Sequence, residues 1–244
     1  MNTWEESCTC EKHGDYIGKF YNLGGKVNHG GNCQECLRLK NKEEQDAKDK
    51  EEQGKAKARK IRKREDAGIS KRNLFKTFDD YICQTEGQTK AKNDCERYFK
   101  EFPSDKSMIM VGGVGTGKTL LASAGIDSII DDYRCEMIKV IDVVRELKAT
   151  WAKDSTDTEE KLIKYYSNID LLVLDEVGSQ FGSDTEKLFI FDIIDGRYQN
   201  MKPTILISNL DIDGIKDAIG DRCVDRLREG GGMMIAFDWA SERK

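Results

Sequence analysis

Long apolar runs are missing from this chain, and that absence sets the first limits. No stretch of its 244 residues approaches the roughly 18 consecutive apolar side chains of a membrane-spanning helix. The start, Met1-Asn2-Thr3-Trp4-Glu5-Glu6, lacks the basic and then apolar segments of an export signal. Without export, the eight cysteines belong in a reducing compartment rather than in a disulfide framework. The expectation is a cytoplasmic protein with no membrane partner. Hydrophobic residues make up only 38% of the chain against 35% charged, so the core must be local rather than spread along the sequence. The length allows one sizeable core and a small accessory unit. No internal repeat is present.

Charge is unevenly placed. The net charge of −5 argues mildly against nonspecific nucleic-acid binding, yet residues 38–72 hold 14 Lys/Arg against 8 Asp/Glu. That local balance of +6 leaves −11 for the remainder. Within it, Lys55–Arg64 has seven basic residues in ten, the asymmetry of an electrostatic contact patch. Three zones follow. Residues 1–36 are rich in Gly, Cys and His with little periodicity. Residues 37–69 are almost wholly charged at first, which predicts an exposed helix or a flexible linker. From about Ser70 to residue 244, apolar runs alternate with helical patterns: Met108–Val111, Met137–Ile141, Leu171–Leu174, Thr204–Ser208 and Met233–Phe237. This alternation predicts an α/β fold, a five-stranded parallel sheet between helices. Leu171-Leu-Val-Leu174 is apolar at every position, as a central strand buried on both faces requires.

One motif fixes chemistry by residue type and spacing. Gly112-Gly113-Val114-Gly115-Thr116-Gly117-Lys118-Thr119 fits the phosphate-loop pattern G-x-x-x-x-G-K-[ST], between an apolar strand and a helical run. Its glycines let backbone N–H groups converge on phosphate oxygens where a side chain would collide with the ligand. Lys118 supplies a compact positive charge for the β- and γ-phosphates, and the Thr119 hydroxyl can complete a Mg²⁺ shell. The helix beyond adds its positive N-terminus. The predicted ligand is a nucleoside triphosphate.

Directly after the buried strand come Asp175 and Glu176. Carboxylates at the C-terminal edge of a parallel strand sit where open α/β sheets bind ligands. Asp175 can hold Mg²⁺ and Glu176 can polarise the water that attacks the γ-phosphate. The next strand ends in Ser208-Asn209, where a polar group can orient that water, although Asn after a strand is also an ordinary turn former. Arg222 and Arg226 fall at i, i+4 on a helix face. They read either as surface ion-pair partners or as a finger into a neighbouring subunit's nucleotide.

Together these residues resemble the AAA+ ATPases, and within them the bacterial and phage helicase loaders of the DnaC type. The resemblance covers about residues 70–244. It is carried by Gly112–Thr119, Asn168–Gly178, Pro203–Asn209, Gly220-Asp-Arg222 with Asp225-Arg226, and the tail Phe237–Arg243. It implies the sensor 1 position for Asn209, the arginine finger for Arg222, and a second sensor arginine at Arg243. It also implies ATP-dependent binding of a hexameric replicative DNA helicase and of single-stranded DNA, with ATP-dependent self-assembly. The short, compact chain points to a phage or prophage origin. A close relative with the same motifs, a transposition helper ATPase, and a zinc-dependent nucleic-acid adaptor with a regulatory ATP site are the competing readings.

Between the second and third strands, Arg145, Lys148, Trp151 and Lys153 lie close together, as a single-strand contact would need. Val144, Leu147 and Trp151 also have the i, i+3, i+7 spacing of a core face, and packing is the commoner fate of such a tryptophan.

At the N-terminus, Cys10-x-x-His13 and Cys33-x-x-Cys36 form two knuckle-like pairs able to hold one tetrahedral Zn²⁺. A zone with so few core formers needs such a staple. Cys8 is a competing ligand for the place given to His13. His29 lies beside glycine and reads as solvated. Cys83, Cys95, Cys135 and Cys223 have no ligand spacing and read as ordinary small residues.

Overall fold

The computed structural model describes residues 3–29, 31, 33–178 and 183–242. Two compact units divide at Lys60/Ile61.

The first unit holds β1 (Thr3–Cys10), β2 (Gly14–Leu23) and β3 (Lys26–His29), an antiparallel sheet in the order β1-β2-β3. Gly24 and Gly25, at φ 57° and 84°, make the two-residue turn between Leu23 and its partner Lys26. Both central positions of such a hairpin turn need positive φ, which glycine supplies without strain. Trp4 lies opposite Phe20, and their rings stack at 5.9 Å. The N-terminal zone is therefore a sheet, not the unpatterned stretch its sequence suggests. The helix α1 (Gln34–Asp66) begins in this unit and ends in the second.

The second unit contains α2 (Glu86–Lys100), β4 (Met108–Gly112), α3 (Lys118–Ile129), β5 (Cys135–Lys139), α4 (Val140–Ala149), α5 (Glu159–Asn168) and β6 (Leu171–Val177). It continues through α6 (Asp184–Gln199), β7 (Thr204–Ser208), α7 (Ile212–Ile219), α8 (Asp221–Arg228) and β8 (Met233–Phe237). Its five strands form the expected parallel sheet, in the order β5-β6-β7-β4-β8. The inner strands β4, β6 and β7 split their side chains between two cores, since successive residues point to opposite faces. Leu171 and Val173 join Met108, Met110, Leu121, Ile126 and Phe99 on the α2/α3 side. Leu172 and Leu174 join Ile109, Leu206, Val143, Leu147 and Phe189 on the other. The second strand runs Cys135–Lys139 rather than Met137–Ile141. Val140, Val143, Val144 and Leu147 are all buried at helical spacing, so α4 starts immediately after Lys139.

At the foot of the sheet, Arg197 is fully buried. Its guanidinium donates to Thr204 Oγ1 (2.9 Å) and to the carbonyls of Tyr166 (2.6 Å), Ile169 (2.8 Å) and Pro203. Burial lowers its pKa to about 9. The four bonds join the ends of α5, α6 and β7. Among the described residues, no helix is long and apolar enough to cross a membrane.

Candidate nucleotide and metal sites

The phosphate loop joins β4 to α3 at the C-terminal edge of the sheet. Gly112, Gly115 and Gly117 have φ of 136°, 81° and 96°, a region costly for other L-residues. Gly117 is the N-cap of α3, so the first amides of that helix are free to point at an anion. The Lys118 ammonium is buried and donates to the carbonyls of Gly112 (2.6 Å) and Gly113 (2.7 Å). Thr116 caps the turn through its hydroxyl to Gly113 O (2.9 Å), and Val114 is exposed at the tip.

At two positions the space a side chain would need is filled by protein. A Cβ on Gly112 would lie 2.1 Å from Phe237 O, and one on Gly117 would lie 2.3 Å from the Tyr81 ring. Phosphate approach is thus not the sole demand for glycine in this loop.

The acidic strand meets the loop directly. Thr119 Oγ1 donates to Asp175 Oδ2 (3.1 Å), and the amide of Glu176 donates to Asp175 Oδ1 (2.8 Å). Asp175 is buried, and that desolvation raises its pKa despite the two donors. Thr119 and Asp175 therefore present two hard oxygen ligands at one point, a donor set that suits Mg²⁺. Glu176 is exposed and has φ 57°, at the register shift between β6 and β7 that follows Leu174. A non-glycine residue held there costs about 1–3 kcal/mol and is a mark of functional sites. Its carboxylate pairs with Lys139 Nζ at 3.0 Å. Lys139 ends β5 opposite Asp175, and its own pKa is raised by the bond to Glu176.

β7 lies between β6 and β4, so Asn209, exposed just beyond Ser208, shares this edge with the loop and the carboxylates. Arg222 and Arg226 separate clearly. Arg226 pairs with Asp195 (3.0 Å) and Glu229 (3.4 Å) and lies over the Tyr198 ring. Arg222, in the first turn of α8, is exposed and makes no hydrogen bond or ion pair among the described residues. Arg243 lies outside the described residues.

Trp151 is not a third step of the α4 core face. The helix ends at Ala149, and Trp151 is 59% exposed, with its indole donating to Glu159 Oε2 (3.0 Å) beside Phe189. Lys153 is exposed as well, while Arg145 pairs with Asp142 and Lys148 with Glu186.

In the first unit, Cys10, His13, Cys33 and Cys36 converge, with their ligand atoms within 4.8 Å of one another. Cys10 ends β1, His13 sits in the β1–β2 turn, and Cys33 and Cys36 flank the start of α1. The sulfurs of Cys10 and Cys36 are 3.5 Å apart, and His13 Nδ1 is 3.2–3.7 Å from the three sulfurs. Tetrahedral zinc with Zn–S of about 2.3 Å needs edges of about 3.8 Å, so the set fits that ion. Cys8 lies outside the cluster. Cys95, Cys135 and Cys223 are buried, and burial raises each thiol to about 12.

Residue spacing alone did not single out Tyr81, Lys139, Trp239 or Glu242. Their contacts with the site span 35 to 127 residues of sequence: Tyr81 OH and Trp239 Nε1 both donate to Thr116 O (3.0 and 3.1 Å), and the Glu242 amide donates to Gly115 O (3.0 Å).

Comparison with known proteins places this geometry. The family model for IstB-like ATP binding proteins matches residues 46–227. The chain is similar to the replicative helicase loader DnaC of Buchnera aphidicola subsp. Acyrthosiphon pisum (strain APS), with 37% identity over 180 residues and 73% of each chain covered. It is also similar to the crystal structure of the DnaC helicase loader, at TM-score 0.61 and 26% identity, covering 68% of this chain and 99% of that one. AMPPCP-bound DnaA from Aquifex aeolicus aligns at TM-score 0.57 and 26% identity, covering 66% and 49%.

Proposed function

The chain belongs to the IstB-like ATP binding proteins, and from that premise we propose that it hydrolyses ATP to load a hexameric replicative DNA helicase onto single-stranded DNA during replication initiation. The Thr119–Asp175 hydrogen bond carries the enzymatic part, because it draws the phosphate loop and the acidic strand to one point. The names of the relatives carry the choice of helicase as target.

The placement of the described residues supports these roles. Lys118 exchanges the Gly112 and Gly113 carbonyls for the β- and γ-phosphate oxygens, while the loop amides and the N-terminus of α3 hold the rest of the phosphate chain. Thr119 and Asp175 would hold Mg²⁺, which neutralises charge on the phosphates when bound. Glu176 orients and polarises the lytic water, with Lys139 fixing its carboxylate beforehand. Asn209 lies where it can position that water against the γ-phosphate. Arg222, without an ion pair among the described residues, is available to a neighbouring subunit's nucleotide, so turnover depends on self-assembly. Arg243 takes the second sensor role.

Trp151 and Lys153 offer an exposed aromatic face and a cation for single-stranded DNA. Residues 1–36 form a zinc-binding domain through Cys10, His13, Cys33 and Cys36, residues 37–69 a charged linker, and residues 70–244 the ATPase domain. The zinc domain and basic linker make the helicase contact.

A pull-down with candidate replicative helicases, with and without ATP, tests the reading. Retention of a hexameric helicase that changes with ATP is expected. Capture of a transposase alone would move the assignment to a transposition helper, and unmeasurable turnover with DNA and helicase present would favour a regulatory ATP site.

A further inference from the structure

The glycines of the phosphate loop are hemmed in by protein from two distant parts of the second unit. Tyr81, just ahead of α2, lies against Gly117, and Phe237, the last residue of β8, lies against Gly112. Beyond Phe237 the chain turns over the loop. Trp239, half-buried against the core and 5.0 Å from the Phe237 ring, donates its indole N–H to Thr116 O. Tyr81 donates its hydroxyl to the same oxygen, inside the fold. The Glu242 amide donates to Gly115 O, and its carboxylate receives the side chains of Gln88 (2.6 Å) and Gln84 (3.2 Å). Gln88 is itself buried and ties back to the amides of Gln84 and Thr85.

From this arrangement we propose that residues 237–242 are a strap that positions the phosphate loop for nucleotide, with Tyr81 and Trp239 as paired positioning residues and Glu242 as its latch. The physical logic is that a peptide group has two ends. Holding the carbonyls of Gly115 and Thr116 inward turns the attached amides of Thr116 and Gly117 outward, toward the phosphate side. The oriented donors then exist before ligand arrives, and preorganised donors bind more tightly than mobile ones. Two donors on one carbonyl also make the device redundant, since either alone keeps Thr116 O satisfied. The inference rests on the nucleotide reading of the site.

A double-mutant cycle with Tyr81→Phe and Trp239→Phe tests it, read by affinity for a fluorescent ATP analogue and by thermal unfolding without nucleotide. Each single variant should weaken binding by less than about threefold, and the pair by about tenfold or more, because only the pair orphans the carbonyl. Glu242→Ala, which keeps both donors and the core aromatics, should weaken binding by about two- to fivefold and serves as the decisive variant if the double one does not fold. A double variant, or Glu242→Ala in its place, that binds the analogue like the wild type overturns the strap, even with a lowered unfolding midpoint. Lys118→Ala separates the two readings. Loss of binding in Lys118→Ala beside wild-type binding in the strap variants leaves the nucleotide site standing and removes only the strap. Wild-type binding by Lys118→Ala itself would remove the nucleotide site, and the strap with it.

Discussion

Thr119 donates its hydroxyl to Asp175 across 3.1 Å, joining the phosphate loop to the acidic strand through a contact 56 residues apart in sequence. Asp175 is held in that contact at the expense of its hydration, and burial raises its pKa above the ordinary carboxylate value. A carboxyl group whose folded pKa is raised stabilises the fold only below its unfolded pKa, and that stability is lost as pH rises through the folded one. Ionised Asp175 therefore costs the free protein stability. Asp175→Asn removes that charge and should raise the unfolding midpoint at neutral pH. The difference should vanish near pH 4 and below. Differential scanning calorimetry with and without Mg²⁺ and ATP checks this, and the variant should also lose the stabilisation those ligands confer.

Glu176 is exposed and paired with Lys139, so its removal should leave the fold nearly intact. Glu176→Gln should bind ATP within about threefold of wild type and turn it over at least about 100-fold more slowly, the range expected of a general base. Full activity in steady-state ATPase assays would deny Glu176 that role.

The two arginines of α8 should behave as opposites. Arg226 ties α8 to Asp195 of α6 and covers Tyr198, so Arg226→Ala should lower the unfolding midpoint. Arg222→Ala should leave the unfolding midpoint unchanged and reduce only the ATPase activity that depends on assembly. Mixing Arg222→Ala with Lys118→Ala subunits should restore part of that activity, because each supplies what the other lacks.

Metal analysis of the purified protein should find about one zinc per chain, held by Cys10, His13, Cys33 and Cys36. Cys8→Ser should keep the metal and Cys33→Ser should lose it. Less than about half an equivalent in the wild type would count against the site, and loss of zinc from Cys8→Ser would reassign a ligand.

Much of this was legible in the sequence because the relevant physics is local. Gly112–Thr119 needs its spacing to build one turn, and Leu171–Leu174 needs unbroken apolarity to sit between two cores. The strand at 135 reads two residues late in the sequence because Val140 and Ile141 extend an apolar run that in fact opens α4. The N-terminal sheet was obscured by its partly polar strands, although Gly24-Gly25 is a hairpin signal of the two-residue kind. Trp151 fitted a helical period, but α4 stops at Ala149 before reaching it. Least visible were Arg197, Tyr81 and Trp239. Each acts through hydrogen bonds to backbone carbonyls, some of them distant in sequence, and backbone carbonyls carry no residue signature.

The most direct test of the account is a loading assay on labelled single-stranded DNA with the replicative helicase captured in the pull-down. Fluorescence anisotropy should report helicase–DNA complexes that form faster with the wild-type chain and ATP than with helicase alone. Lys118→Ala should give no acceleration. Equal loading by Lys118→Ala, or none by the wild type with a helicase it binds, would contradict an ATP-driven loader.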